Sequence, residues 1–288
     1  MKELNELIDH IKNYSGKNIK IMEVCGTHTH EIFRQGIRNI LPSSITLISG
    51  PGCPVCVTPN SFIDEAIALA LENNCTITTF GDLVRVPGSQ MSLAEARAKG
   101  AKINVVYSPL DAENYAKEHP DEQVVFLSVG FETTVPANAL SVLHAKKDGL
   151  DNYSILTSNK TMDNAYAALK DSADAFLYPG HVSVITGTAI YDRLKEEGIS
   201  GVVCGFTSHE ILSAICAIID NVETGKPFFL NCYPSVVKPE GNPAALKIIH
   251  DMMKSCDATW RGLGVIKNSG LELNDEYANF DARKKYNL

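Results

Sequence analysis

Two periodicities of hydrophobic residues alternate along this chain. Short runs rich in Val, Ile, Leu and Thr read as extended segments, and between them lie longer stretches whose apolar positions fall three and four residues apart, as on one face of a helix. The runs predict strands at Ile19–Cys25, Ile45–Ser49, Thr76–Phe80, Ile103–Tyr107, Val124–Val129, Tyr153–Thr157, Ala175–Tyr178 and Gly201–Gly205. The longer stretches predict helices at Ser61–Glu72, Ser92–Lys99, Asp111–Lys117, Thr161–Lys170, Ala189–Glu197 and His209–Val222. At the start, Leu4, Leu7, Ile8 and Ile11 are spaced helically among Lys, Glu, Asn and Asp, which predicts an amphipathic helix.

Strand and helix in strict alternation are the mark of parallel sheets joined by crossover helices, so the expected class is α/β. The strands divide evenly about Lys117–Gln123, where His-Pro-Asp-Glu reads as a turn. This gives two doubly wound domains, residues 1–120 and 121–230. Beyond Asn231 the pattern changes: Pro234, Pro239, Gly241 and Pro243 interrupt the chain before a helix at Ala244–Ser255 and an apolar stretch at Trp260–Ile266. Residues 231–288 are expected to pack back on the first domain.

Composition narrows the class of partner. With 288 residues, 44% of them hydrophobic, the chain has room for about two domains. A net charge of −8 without a basic tract argues against a nucleic-acid ligand. The first segment lacks the apolar core and cleavage site of a signal peptide, and no apolar run approaches the roughly 20 residues that cross a bilayer. A cytoplasmic protein is expected, with no membrane partner. There thiols stay reduced, so the eight cysteines read as ligands, redox groups or packing before structural disulfides.

In open α/β sheets ligands gather at the carboxyl ends of strands, and the unusual peptides of this sequence fall there. They are Cys25-Gly26-Thr27-His28, Gly50-Pro51-Gly52-Cys53-Pro54-Val55-Cys56, Gly130-Phe131-Glu132-Thr133-Thr134 and Pro179-Gly180-His181-Val182-Ser183. Cys53 and Cys56 are spaced to cycle between dithiol and disulfide. A stand-alone thiol–disulfide oxidoreductase is therefore one reading; another joins Cys25, His28, Cys53 and Cys56 into a structural Cys₃His zinc site. His28 is the histidine expected to function, and His30 the one expected to cap or pack. Glu132 and His181 are candidate reactive groups on the same strand-end face, while the threonines of Glu132-Thr133-Thr134 would also suit a plain helix start. Cys75, Cys204, Cys216, Cys232 and Cys256 read as packing residues.

Taken in order, these peptides together with Arg85-Val86-Pro87-Gly88-Ser89, Val106-Tyr107-Ser108-Pro109 and Trp260-Arg261-Gly262-Leu263-Gly264 resemble the HypD family of [NiFe]-hydrogenase maturation, from about Ile19 to Tyr286. The resemblance implies a scaffold on which an Fe(CN)₂CO unit is assembled, with a HypC-type chaperone as partner and a HypE-type cyanide donor as a transient one. It implies that Cys25 is the iron ligand, shared with the chaperone, and that Cys53 and Cys56 relay electrons. It places His28, Glu132 and His181 along a cleft between the two α/β domains. Thr27, His28, Thr133, Thr134 and Ser183 would then contact the iron-bound diatomics, with hydroxyl and backbone donors suited to cyanide. It also implies a [4Fe–4S] cluster in a cysteine-rich tail past the segment matching Asp281–Leu288, a tail that lies outside these 288 residues.

Overall fold

The computed structural model describes residues 3–288. Its strands in chain order are β1 (Ile19–Glu23), β2 (Ile45–Ser49), β3 (Thr76–Thr79), β4 (Ile103–Val105), β5 (Val124–Gly130), β6 (Tyr153–Lys160), β7 (Ala175–Pro179), β8 (Gly201–Cys204), β9 (Phe229–Asn231), β10 (Met253–Trp260) and β11 (Gly264–Leu273). Every strand predicted from the sequence is present with its ends moved by a few residues, and β9, β10 and β11 are additional. The class is α/β, with two sheets in which parallel pairing dominates.

The chain forms two compact units, one of Met1–Cys53 and Asp163–Pro243, the other of Pro54–Met162 and Ala244–Leu288. This corrects the expected boundaries at 120 and 230. The reason lies in strand pairing: β1 takes β7 as a neighbour, with Ile21 opposite Ala175, so the chain leaves the first sheet after β2 and returns only at β7. Everything between builds the second sheet. The Lys117–Gln123 turn is an ordinary crossover inside that second unit, from the helix Pro109–Glu118 to β5.

In the first unit the order is β2-β1-β7-β8-β9, and every pairing is parallel. One face is covered by the helix Ser208–Val222, whose start is fixed by a capping box in which Thr207 accepts the Glu210 N–H and Glu210 reaches back to the Thr207 N–H. Ile211, Ile215, Ile218, Ile219 and Val222 follow at helical spacing and are buried against Ile21, Leu177 and Val202. Each such side chain contributes about 1.5–3 kcal/mol on burial. The predicted N-terminal helix forms as Leu4–Lys12 and inserts Leu7 and Ile11 into the same core.

In the second unit the order is β10-β11-β6-β5-β3-β4, parallel from β4 to β6 and antiparallel through β11 and β10. β5 is buried at every position, as a central strand covered on both faces must be. The C-terminal segment 231–288 is divided between the two units and is not a single tail. From Ala244 onward it completes the second unit, with β11 joined to β6 through Gly270 opposite Lys160 and Leu271 opposite Asn159. Residues 231–243 close the first unit instead. Among the described residues no helix is long and apolar enough to cross a membrane.

Candidate functional site

Parallel pairing puts the carboxyl ends of β1, β2, β7 and β8 on one edge of the first sheet, and the loops that leave that edge carry most of the unusual peptides. Cys25 caps the start of the helix Gly26–Arg34 in an extended conformation and is half-buried. The loop after β2 comes against it at the backbone level. The Gly26 N–H donates to the Gly52 carbonyl at 3.3 Å, and a Cβ on Gly52 would stand 2.3 Å from both the Val24 carbonyl carbon and the Cys25 nitrogen. No side chain fits there, so glycine is what lets the Cys25 and Cys53 loops touch. Cys53 is half-buried and Cys56 is exposed.

Beneath Cys25 lies a residue that strand prediction passed over. Glu23 is fully buried, and its carboxylate accepts the Thr29 hydroxyl at 2.7 Å and the Cys25 N–H at 3.4 Å. Burial pushes its carboxyl up, against hydrogen bonds from Ser49, Thr29 and the Cys25 backbone and the nearby charge of Arg38. The signal was present in the sequence: one acidic residue interrupts the apolar Ile-Met-Glu-Val run just ahead of the cysteine.

His28 is also fully buried. Its Nε2 stands 2.8 Å from the Gly205 carbonyl, and since a carbonyl only accepts, Nε2 carries the proton. Burial holds the imidazole down at about 4, so it is neutral near pH 7. Nδ1 is then a lone-pair acceptor, buried without a hydrogen-bond partner. A neutral His28 in this tautomer presents an acceptor and no donor at Nδ1. Phe206, in the loop after β8, stacks on His28 at 4.6 Å and on His181 at 3.9 Å, so the histidines of two separate motifs flank one aromatic ring. His181 is exposed and burial of part of its ring moves it below its ordinary value. Nothing in the sequence marked Phe206.

The remaining candidates divide. Thr27 is exposed at the start of its helix, and His30 is exposed too and neither caps nor packs as expected. Ser183 faces inward: its hydroxyl donates to the Pro179 carbonyl at 2.9 Å and meets the Tyr191 hydroxyl at 2.7 Å, which is a packing role. In the second unit, Glu132 is buried and accepts the Met162 N–H at 2.8 Å. Thr133 is exposed, and Thr134 donates its hydroxyl to the Phe131 carbonyl at 3.1 Å as the helix Val135–Lys147 begins.

Arg261 explains a further peptide in the second unit. Its backbone N–H donates to Val57 O at 2.8 Å and its guanidinium to Thr58 O at 2.7 Å and Pro87 O at 3.0 Å. It thereby pins the segment that follows Cys56 to the Arg85–Ser89 loop. Trp260, fully buried, donates to Ser269 at 2.8 Å and stacks on Phe131 at 5.9 Å.

Among the described residues no group of three or more His, Cys, Asp and Glu side chains is placed to hold a metal ion. The Cys₃His zinc reading finds no such group among the described residues, and His28 is fully buried. The described cysteines form no four-thiolate set for an iron–sulfur cluster either, and Cys75, Cys204 and Cys216 are buried in hydrophobic cores. What the first unit does present is a pair of half-buried thiols, Cys25 and Cys53, on adjoining loops at one sheet edge.

Comparison with known proteins identifies the family of the chain. A family model described as "HypD: Hydrogenase formation hypA family" matches residues 2–288. The hydrogenase maturation factor HypD of Rhodobacter capsulatus is 40% identical over 294 aligned residues, which cover 100% of this chain and 78% of that protein. The hydrogenase maturation factors HypD of Escherichia coli K12 and Cupriavidus necator are each 38% identical, over 99% and 95% of this chain and 78% and 76% of their own lengths. With the match running from end to end and the cysteine loops placed at one sheet edge, the chain belongs to the HypD family of hydrogenase maturation factors.

Proposed function

We propose that this chain is a cytoplasmic scaffold for assembly of the Fe(CN)₂CO unit of [NiFe]-hydrogenase, with iron as cargo held through the Cys25 thiolate. A HypC-type chaperone would share the iron, and a HypE-type donor would visit to deliver cyanide. The observation that carries the reading is the backbone contact between the Cys25 and Cys53 loops, which holds the loop of the candidate ligand against the loop of one cysteine of a Cys-x-x-Cys pair.

Low-spin iron with strong-field diatomic ligands is a soft centre, and thiolate is a fitting donor to it. Glu23, made more basic by burial, is an acceptor in the same turn for the proton that Cys25 gives up on binding metal. Neutral His28 keeps a positive charge from the floor of the loop and fixes it to Gly205. The Cys53–Cys56 pair, on passing from dithiol to disulfide, releases two electrons and two protons, which suits a redox step during assembly.

The test is iron content. The chain is co-produced with a HypC-type chaperone without oxygen, and iron per complex is measured for the wild type and for Cys25→Ala. Stoichiometric iron in the first and its loss in the second is the expected result. Equal iron in both, with the complex intact, would remove Cys25 from the ligand role.

A further inference from the structure

A polar cavity, unrelated to the cysteine loops, lies within the second unit. It encloses about 290 Å³ between β6, the β10–β11 hairpin, the helix Asn60–Leu71 and the C-terminal helix Ala282–Tyr286. Lys160, the last residue of β6, lines it and is only 2% exposed. Its ammonium donates to the Ser158 hydroxyl at 3.1 Å and stands 5.7 Å from the Trp260 ring. No carboxylate among the described residues pairs with it. A buried ammonium has three protons to place and a charge to balance, and an unbalanced one costs several kcal/mol.

Lys160, Gly270 and Cys256 lie on one rung across β6, β11 and β10, and Gly270 carries no side chain to fill the gap between amine and thiol. Cys256 does not serve as the counter-ion, because burial, foremost, pushes its thiol up. The other charges at the cavity are engaged. Arg283 holds Glu65 at 2.8 Å and the Thr157 carbonyl at 2.9 Å, Glu272 meets Lys254 at 3.4 Å, and Asp257 accepts the Asn268 N–H at 2.9 Å. Lys160 is therefore the one buried charge here with no opposite charge beside it.

We propose that this cavity binds a small oxyanion, of the phosphate or sulfate kind, with Lys160 as its counter-ion and the Ser158 hydroxyl beside it. The carboxylates of Glu65, Asp257 and Glu272 at the rim restrict the ligand to a compact head group that reaches past them to the ammonium. The site is independent of the iron reading, and either can fail without the other.

Sulfate is the probe, because its charge is constant across the range needed. Its binding to the 288-residue chain is followed by isothermal titration calorimetry at constant ionic strength, which screens surface sites equally throughout. Burial, with the neighbouring Arg283 charge adding, holds Lys160 down at about 8. Saturable one-to-one binding at pH 6.5 is expected, weakening about tenfold for each pH unit above 8 as the ammonium loses its proton. Lys160→Met should lose at least about tenfold in affinity while its circular dichroism stays unchanged. Absence of saturable binding, or equal affinity in the variant, overturns the proposal. Should the variant fail to fold, a flat affinity of the wild type between pH 7 and 9.5 overturns it, since exposed Lys and Arg keep their charge over that range.

Discussion

Gly52→Ala tests whether the contact between the two cysteine loops is a fixed feature of the fold. The added methyl would sit 2.3 Å from two backbone atoms of Val24 and Cys25, so the loops must separate by about 1 Å to reach ordinary van der Waals distance. Both obstructing atoms are main chain, and no rotamer change relieves them. Overpacking of this kind costs about 1–3 kcal/mol. Loss of the bond from the Gly26 N–H to the Gly52 carbonyl adds about 0.5–1.5 kcal/mol, and the stiffer unfolded chain returns about 0.4–1 kcal/mol. The net expectation is a loss of about 0.5–4 kcal/mol in urea unfolding. It should come with faster alkylation of Cys25 in the folded protein, read by mass spectrometry of the peptide. A variant as stable as the wild type, with Cys25 alkylated at the same rate, would refute the close approach on which the site is built.

Two further outcomes follow from the buried polar groups. His28 is held at about 4 by burial against an ordinary value of 6.5, so between those values the unfolded chain binds a proton that the folded chain does not. The stability it contributes is present above pH 6.5 and declines as pH falls toward 4, by up to about 3 kcal/mol; His28→Gln should flatten that decline, and parallel curves for the two proteins would contradict it. Glu132→Ala should cost about 1–3 kcal/mol by stranding the buried Met162 N–H, whereas Glu132→Gln keeps an acceptor and should cost clearly less; equal losses in urea unfolding would show that the hydrogen bond is not what holds the side chain there.

The strands of both parallel sheets were legible because a buried parallel strand is apolar almost throughout, as in Val124–Gly130. Their partnership was not, because a crossover that returns to the neighbouring strand and one that skips across four strands look alike in sequence. The β10–β11 hairpin was missed for a different reason. Its first strand, Met253–Trp260, is buried only at its two ends and alternates half-buried and exposed positions between them, and the helical pattern before it ran on to Ser255. The stretch read as apolar at Trp260–Ile266 is the turn of that hairpin. At the site, Cys25, Gly52 and Cys53 announced themselves by residue type and punctuation. Glu23 was hidden inside a strand, and Phe206 acts only by stacking between histidines that lie far apart in the chain.

The most direct test of the account is infrared absorption of the chain purified without oxygen together with a HypC-type chaperone. Bands of iron-bound carbon monoxide and cyanide are expected in the wild-type complex and should vanish in Cys25→Ala while the two proteins remain associated. The same bands at full strength in the Cys25→Ala complex would contradict it.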